Sequence, residues 1–410
     1  MTSSPLSGTL VVDLSRHLPG PLAAHLLADL GARVVKVEEP RMGDPVRLAP
    51  PLAGNGADTG VKSRSTLAAL LLSGVESVAL DLKRPAGREV LEGLLEGADV
   101  LLETFRPGTL ARLGLDPEEL RRRFPRLVVC SLSGWGQDGP YAPRAGHDLT
   151  YQALAGTLAA TASMPAYPAA DVTGAWSAVS SVLAALFARE RTGEGTRIDA
   201  SLFDAAVHLN LVGWAEEGAA GSGEAPAVGE PHGLAGALPC YRLYRTADGG
   251  WLAVAPLEEH FWQRFCEAAG RPDLRKLQYR EDGKTHRKVA RMVARRTLAE
   301  WRELLAGVDL PVEAVLPADE AARHPQTAAR GVLKRGADGL FRLGFPARIG
   351  GGRPRAGEAY PELGEHTDRI VEEVGGRVAE LPPARRRREG VGRRFSLRRA
   401  LTRWALSRRR

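Results

Sequence analysis

Three short segments combine proton-transferring side chains with small neighbours. They are GHDLTY at 146–151, AADVTG at 169–174 and VAPLEE at 254–259. Imidazole and carboxylate groups are the side chains that most often give or take protons in enzymes, and a carboxylate can also act as a nucleophile. The residues that could do chemistry here are therefore His147, Asp171 and Glu258.

Each of these residues also has a purely structural interpretation. A histidine beside an aspartate, as at His147, is often a hydrogen-bonded or capping pair. Asp171 could cap the helix that follows it, because aspartate satisfies free N–H groups at a helix start, and Glu258 resembles a solvated loop carboxylate. Taken alone, the residues indicate a two-domain α/β enzyme of unknown chemistry.

Several well-known site motifs are missing from the sequence. It contains no Walker A loop, no GxGxxG after a strand, no HExxH and no GxSxG. These absences remove the usual sequence signatures of a phosphate cradle, a dinucleotide site, a zinc peptidase and a hydrolase nucleophile elbow.

The cysteines and the N-terminus indicate in which cellular compartment the protein is expected. Cys130, Cys240 and Cys266 are scattered and odd in number, which argues against a disulfide framework or a zinc cluster and favours a reducing environment. The first residues lack a basic segment followed by a long apolar one, and no run of about 18 apolar residues occurs. The sequence therefore predicts a cytoplasmic protein.

The elements that must position the candidate residues alternate between strands and helices. Apolar runs predict strands, and apolar residues at helical spacing predict helices between them. The predicted strands are 10–14, 33–38, 77–81, 100–103 and 127–131, and the predicted helices are 21–30, 86–97 and 117–123. This alternation is typical of a parallel sheet covered by helices.

The second half of the chain has a different organisation. At 410 residues the chain exceeds the usual size of a single core, so two domains are expected. Residues 215–236 are rich in Gly, Ala and Pro and predict a linker, and a second compact region follows to about residue 330. Within it, residues 241–254 predict a hairpin around Asp248, Gly249 and Gly250.

The positive charge is concentrated in the C-terminal tail. The formal net charge is +7, but the 26 residues from Arg385 to Arg410 contain 12 Arg and one Glu. The tail thus carries +11 and the other residues −4, so the overall pI does not indicate nucleic-acid binding by the folded part. Leu397, Leu401 and Trp404 share one helical stripe, so the tail is either a basic amphipathic helix for an anionic membrane or nucleic acid, or a solvated disordered segment.

Several segments, in this order and spacing, resemble one enzyme family. They are VDLS at 12–15, LADLGA at 27–32, VKVE at 35–38, FRPG at 105–108, SGWGQDGP at 133–140, RTGEG at 191–195 and LGEHT at 363–367. From Gly8 to Gly375 the chain resembles the family III CoA-transferases and α-methylacyl-CoA racemases of the CaiB/BaiF type.

The resemblance implies an α/β fold with a Rossmann-like large domain built from both chain ends and a smaller α+β domain. On that basis the large domain is expected at 1–214 and 331–378, the small domain at 237–330 and the basic tail at 379–410. Two subunits of the family interlock, so the resemblance also implies a homodimer.

Two chemistries share this scaffold. In the transferases the aspartate that matches Asp171 attacks the thioester and forms an acyl anhydride, which CoA converts to an enzyme thioester. In the racemases the residues that match His147 and Asp171 remove and return the C2 proton on opposite faces, supported by the match to Glu258. Both imply an acyl-CoA substrate, with coenzyme A as part of the substrate and no permanently bound cofactor.

Three features favour epimerisation of a 2-methylacyl-CoA over CoA transfer. The Gly146-His147-Asp148 triplet and the segment 241–258 resemble the racemases, and HGLAG at 232–236 replaces the glycine run of oxalate-type transferases. Gln152, in contrast, is typical of the transferases. Transferase activity therefore stays open as the alternative.

The CoA-binding residues depart from the family pattern. Arg106, Lys83 and Arg144 remain to bind the CoA diphosphate or ribose phosphate. Glu39 and Glu76, however, stand where the family usually has basic residues, and a carboxylate beside a phosphate is repulsive. A weakly active homologue that serves as a binding scaffold is thus a further alternative.

Overall fold

The computed structural model describes residues 4–53, 64–220, 227–376 and 381. Apart from residue 381, the predicted basic tail at 379–410 lies outside these residues. The chain divides into two compact units. The first comprises Met1–Ala155, Tyr167–Leu209 and Ala328–Arg410, and the second Gly156–Ala166 and Asn210–Thr327.

Strands and helices are numbered along the chain. The strands are β1 (Leu10–Asp13), β2 (Arg33–Glu38), β3 (Leu52–Ala53), β4 (Arg64–Ser65), β5 (Glu76–Ala79), β6 (Val100–Glu103), β7 (Val128–Ser133), β8 (Arg197–Ser201), β9 (Arg242–Arg245), β10 (Trp251–Val254), β11 (Val312–Ala314), β12 (Leu333–Arg335) and β13 (Phe341–Leu343). The helices are α1 (Pro19–Asp29), α2 (Thr66–Leu71), α3 (Pro85–Glu96), α4 (Thr109–Arg112), α5 (Pro117–Arg123), α6 (Asp148–Leu154), α7 (Ala169–Thr192), α8 (Leu202–Leu209), α9 (Leu211–Ala220), α10 (Glu259–Ala268), α11 (Gly283–Val293), α12 (Leu298–Leu305), α13 (Ala318–Arg323), α14 (Pro325–Arg330) and α15 (Thr367–Glu373).

The first unit is built on a six-stranded sheet with the order β5-β2-β1-β6-β7-β8. Every pair of neighbours in it is parallel, so the predicted parallel α/β sheet is confirmed. In order of appearance the strands run 3-2-1-4-5-6, which is the doubly wound order, with its topological switch between β1 and β6.

Each face of this sheet carries its own apolar core, because neighbouring residues of a strand point to opposite faces. Val11, Val34 and Cys130 lie on one face and are buried beneath α1 and α7. Val12 and Val129 lie on the other, beneath α3, α5 and α15.

Helix α7 is long and apolar enough to match a membrane span by length and composition alone. Its residues Ala178, Val182 and Ala185, however, belong to the core under the sheet. This packing is that of a core helix.

The segment after β13 returns to the edge strand β5. Ser77 N–H donates to His366 Nδ1 (3.1 Å), and His366 N–H donates to the Ser77 carbonyl (2.9 Å). Ala79 N–H donates to Thr367 Oγ1 (3.0 Å). Residues from both ends of the chain therefore build one unit, and the LGEHT segment covers an otherwise unpaired sheet edge.

The second unit contains an antiparallel sheet of order β11-β10-β9. Its β9–β10 pair, with Trp251 opposite Arg245, is the predicted hairpin. Trp262 and Trp301 are fully buried in its core, and each indole N–H donates to a backbone carbonyl. Helix α9 occupies 211–220, so part of the segment that composition assigned to a linker is helical.

Candidate active site

The loops that leave β1 and β6 meet at the topological switch point. Arg16 N–H, in the first loop, donates to Thr104 Oγ1 in the second at 2.9 Å. In doubly wound sheets ligands bind outside the carboxyl ends of the strands at this position. The candidate site is therefore expected among the side chains that reach this edge.

A buried ion-pair network fixes the loops after β1 and β2. Lys36 is fully buried, and its ammonium contacts Asp13 Oδ2 (3.1 Å), Asp44 Oδ2 (3.0 Å) and the Ser15 carbonyl (2.8 Å). Beside it, Arg47 holds Glu38 with two hydrogen bonds of 2.7 Å. Because the buried charges of Lys36 and Glu38 each have several hydrogen-bonded partners, they hold the surrounding backbone in one arrangement.

The starts of α6 and α7 are joined by an aspartate. Asp148, the first residue of α6, accepts the backbone N–H of Asp171 on Oδ1 at 3.1 Å. Its Oδ2 accepts the amide of Gln152, one turn later, at 2.6 Å. The two segments that carry His147 and Asp171 are therefore brought together through Asp148, whose importance the sequence alone did not reveal.

Asp171 lies in the first turn of α7 and is half-buried. No described residue donates a hydrogen bond to its carboxylate. Burial, and then the neighbouring charge of Asp148, raise the pKa of Asp171 to about 7. A carboxyl group with this pKa exchanges its proton near neutral pH, as an acid/base group in a site must.

Tyr151 forms the wall next to Asp171. Its ring is buried and packs edge-on against Trp135, with the ring centroids 4.7 Å apart. Burial, and then the Asp171 charge, raise the pKa of Tyr151 to about 12. Gly134 and Gly146 border the ring, and a Cβ added to Gly134 would lie 2.2 Å from the Tyr151 hydroxyl. Both positions must therefore be glycine, because a Cβ at either one would collide with the Tyr151 ring.

His147 directly precedes α6 and is exposed. Its backbone N–H donates to Thr150 Oγ1 (3.0 Å), and the Thr150 hydroxyl donates back to the His147 carbonyl (2.7 Å). The backbone of His147 is therefore fixed at the start of α6, and its side chain is exposed.

His17 is a further residue near His147 that the sequence did not single out. It lies at the switch point in a left-handed conformation (φ 73°) and within electrostatic range of His147. Its N–H donates to Asp44 Oδ1 at 3.0 Å, so the Lys36 network holds this unfavourable conformation in place. No spacing rule could have found it, because the contact depends on the sheet order.

Glu258 belongs to the second unit. It is exposed and is the residue before helix α10, without a side-chain capping bond. The supporting role implied for Glu258 stays a prediction, as do the roles of His147 and Asp171.

The three expected phosphate-binding residues all follow carboxyl ends of sheet strands. Lys83 lies after β5, Arg106 after β6 and Arg144 in the loop between β7 and α6. Lys83 and Arg106 are exposed, and Arg144 stacks on Tyr141 at 4.1 Å. Their positions fit a ligand at this edge, and their contacts with CoA stay predictions.

Glu39 and Glu76, which stand where the family usually has basic residues, are both paired with arginines. Glu39 is paired with Arg41 (2.9 Å) and accepts the backbone N–H of Met42. Glu76 begins β5, at the amino end of the sheet, and is paired with Arg33 and Arg369 at 2.9 Å each. Both carboxylates thus have cationic partners, and their effect on CoA binding stays a prediction.

Comparisons with known proteins agree with this geometry. The family model described as "CoA-transferase family III" matches residues 6–367. The chain is 34% identical to the α-methylacyl-CoA racemase of Homo sapiens, over 90% of this chain and 93% of that protein. It is 32% identical to the acetyl-CoA:oxalate CoA-transferase of Acetobacter aceti, over 88% and 93%.

Among solved structures, a CAIB/BAIF family protein from Brucella suis superposes with a TM-score of 0.79 and 27% identity. The superposition covers 91% of this chain and 100% of that one. The chain therefore belongs to CoA-transferase family III and is an enzyme of that family, whose members include racemases and CoA-transferases.

Proposed function

We propose that this enzyme epimerises a 2-methylacyl-CoA at C2, with His147 and Asp171 as the two acid/base groups. The observation that carries the proposal is the position of the half-buried Asp171, which is joined through Asp148 to the segment that carries His147. Burial and the charge of Asp148 raise the pKa of Asp171 to about 7. Near neutral pH both protonation states of Asp171 are populated, so it can begin the reaction as base or as acid.

In the proposed reaction one of the two groups takes the C2 proton. The electron pair of the C–H bond moves into the C1–C2 bond, and the thioester oxygen gains the negative charge of an enolate. The other group, protonated at the start, then gives its proton to C2 on the opposite face, and the thioester carbonyl forms again. No atom is gained or lost, but the two groups end with their protonation states exchanged. The enzyme can then act on the other epimer, or exchange protons with water and act on the first epimer again.

CoA transfer is the alternative, supported by the relatives that carry such names. The chain is 33% identical to the succinate–glutarate CoA-transferase of Agrobacterium fabrum, over 90% of this chain. In that reaction the Asp171 carboxylate attacks the thioester carbonyl and expels the CoA thiolate, which leaves an acyl anhydride on the enzyme. A pKa of about 7 leaves enough carboxylate for this attack at neutral pH.

One incubation separates the two reactions. A 2-methylacyl-CoA is kept with the enzyme in deuterated water, with and without an added free carboxylic acid. Deuterium at C2 without the acid supports epimerisation. Acyl exchange that requires the acid, with no deuterium at C2, supports transfer and contradicts the proposal.

The proposal extends to substrate binding and assembly. Lys83, Arg106 and Arg144 would contact CoA phosphates, Glu258 would support the acid/base pair, and two copies would form a homodimer, with no permanently bound cofactor. Arg144→Gln should raise KM for the acyl-CoA while kcat changes little, because a phosphate contact is the same in the ground and transition states. An unchanged KM would remove Arg144 from the CoA site.

A further inference from the structure

The segment 330–356 concentrates positive charge that the proposed acyl-CoA chemistry does not use. It contains six Arg, one Lys and one Asp, a net charge of +6 in 27 residues, although the chain outside the C-terminal tail carries −4 as a whole. Within the described part of the chain, Arg342 is the one cation of this segment that forms an ion pair, with Asp338 at 2.7 Å. We call the other six cations the arginine patch; they are Arg330, Lys334, Arg335, Arg348, Arg353 and Arg355.

Three arginines of the patch converge on the end of α14. Arg348, Arg353 and Arg355 donate to backbone carbonyls at 2.7, 2.7 and 2.9 Å, and the acceptors are the three successive carbonyls of 329–331. A carbonyl fixes a guanidinium group without cancelling its charge. Desolvation, and then the charges of Arg330, Arg348 and Arg355, lower the pKa of Arg353. Four like charges are therefore held close together around one turn.

Strand β12 continues the patch beyond this turn. Its residues Lys334 and Arg335 are exposed. The Phe345 N–H, just after β13, donates to the Pro354 carbonyl at 3.1 Å, so the β12–β13 pair lies beside the segment that carries the clustered arginines. A strand rises about 3.3 Å per residue, so β12 extends the patch by roughly 10 Å. The patch thus suits an extended polyanion better than one small anion.

The patch lies at the amino ends of the parallel strands. The Ala356 N–H donates to Asp29 Oδ1 at 2.6 Å, and Asp29 is the last residue of α1, shortly before β2 begins. Arg353 and Arg355 are both within electrostatic range of Asp29. The residues proposed for acyl-CoA binding follow the carboxyl ends of the strands instead. The arginine patch is therefore a separate surface.

The side chains of the patch favour a phosphate polymer. Five of the six cations are arginines, and a planar guanidinium matches the oxygens of a phosphate better than an ammonium does. A membrane surface, in contrast, also takes up apolar side chains that stand among the cations. Leu343 and Ile349 are the two large apolar side chains of 330–356 that are exposed. The surface is thus mainly cationic, which fits a nucleic acid better than a membrane.

The aromatic rings of the segment distinguish double-stranded from single-stranded nucleic acid. Proteins that bind single strands stack the unpaired bases on aromatic side chains. The Arg335 guanidinium lies over the Phe341 ring, 4.3 Å from its centroid, and the Phe345 ring packs against Trp176 with centroids 5.5 Å apart. Both rings already have partners. The patch therefore offers cations rather than stacking surfaces, as contacts with the backbone of a duplex require.

We propose that the arginine patch binds the phosphate backbone of a double-stranded nucleic acid without reading its base sequence. Bound phosphates compensate the like charges that crowd around the end of α14. Contacts with phosphates position a protein on a duplex and carry no sequence information. This surface goes beyond the proposed epimerisation and does not depend on it.

The test uses the full-length protein and a short, fluorescently labelled DNA duplex of mixed sequence. Anisotropy gives the binding constant at several salt concentrations, and its logarithm falls with the logarithm of salt concentration by about 0.9 per neutralised phosphate. Arg330→Gln and Arg348→Gln together remove two exposed cations of the patch. We expect this double variant to bind more weakly, with a salt slope shallower by about 1.8 than that of the wild type.

Arg122→Gln together with Arg264→Gln is the matched control, because it removes the same charge from two exposed arginines outside the patch. Every variant keeps the basic tail, so the contribution of the tail is the same in each. Arg330→Lys with Arg348→Lys keeps the charge and should restore the slope. Equal slopes for the patch and control variants, or failure of the lysine pair to restore it, would overturn the proposal. Retention on anionic liposomes without binding of the duplex would also overturn it, in favour of a membrane.

Discussion

The backbone N–H of Asp171 donates a 3.1 Å hydrogen bond to Oδ1 of Asp148. This bond joins the first turns of α6 and α7 and places a second carboxylate beside Asp171. The carboxylate of Asp171 receives no hydrogen bond from a described residue that would lower its pKa. Burial and the charge of Asp148 therefore both raise that pKa without opposition. The position of Asp148 beside Asp171 thus contributes to an Asp171 carboxyl group that titrates near neutral pH.

Replacing Asp148 by Asn should lower the pKa of Asp171. The substitution removes the neighbouring charge and keeps an oxygen that can accept the Asp171 N–H. The limb of the pH–rate profile that reports Asp171 should move to lower pH by about one unit. Asp138→Asn, a change of an exposed carboxylate, is the control. An unmoved limb would mean that Asp148 does not set the pKa.

Asp171→Asn should stabilise the protein at alkaline pH. The pKa of Asp171 is about 7 in the folded protein against an ordinary 3.8, so the folded state binds this proton more tightly and loses stability as pH rises from about 4 through 7. Denaturant unfolding should show the variant more stable than wild type by about 1–3 kcal/mol at about pH 8.5. The difference should shrink at about pH 5; a constant difference would contradict the assignment.

Gly134→Ala should destabilise the first unit, because the new Cβ would lie 2.2 Å from the Tyr151 hydroxyl and 2.8 Å from its Cζ. We expect a loss of about 1–3 kcal/mol, typical of overpacking. Tyr151→Phe in the same chain should recover part of it, since only the hydroxyl contact is removed. A double-mutant cycle measures this coupling, and strict additivity would show that the ring does not make the contact.

The ion pairs of the first unit should differ in their contribution to stability. Glu38→Gln leaves Arg47, whose side chain is 9% exposed, without its charged partner and should cost about 3–5 kcal/mol. Glu76→Gln, in the half-exposed pair with Arg33, should cost less than about 1 kcal/mol. Urea unfolding of both variants checks the contrast, and equal losses would contradict it.

The apolar strands of the fold were predictable from local pattern. The predicted bounds of the second and fourth sheet strands, 33–38 and 100–103, agree with β2 and β6. The edge strand β8 was missed because Arg197 and Asp199 face solvent and interrupt its apolar pattern. The last part of α9, residues 215–220, was assigned to a linker because its sequence AEEGAA is small and polar.

The candidate site was only partly predictable. The positions of His147 and Asp171 could be proposed from the sequence, but the bond from Asp171 to Asp148 joins residues 23 positions apart and depends on how α6 and α7 pack. His17 is brought to the site by the order of β1 and β6 in the sheet. The arginine partners of Glu76 could not be predicted, because Arg33 and Arg369 reach it from a neighbouring strand and from the far end of the chain.

The central claim, that His147 and Asp171 act on opposite faces of C2, is tested most directly by deuterium exchange with each C2 epimer of a 2-methylacyl-CoA separately. The wild type should exchange and interconvert both epimers. His147→Ala and Asp171→Asn should each abolish interconversion, and each should retain exchange in a different epimer, because one base survives on one face. Interconversion by Asp171→Asn at the wild-type rate, or loss of exchange from the same epimer in both variants, would contradict the account.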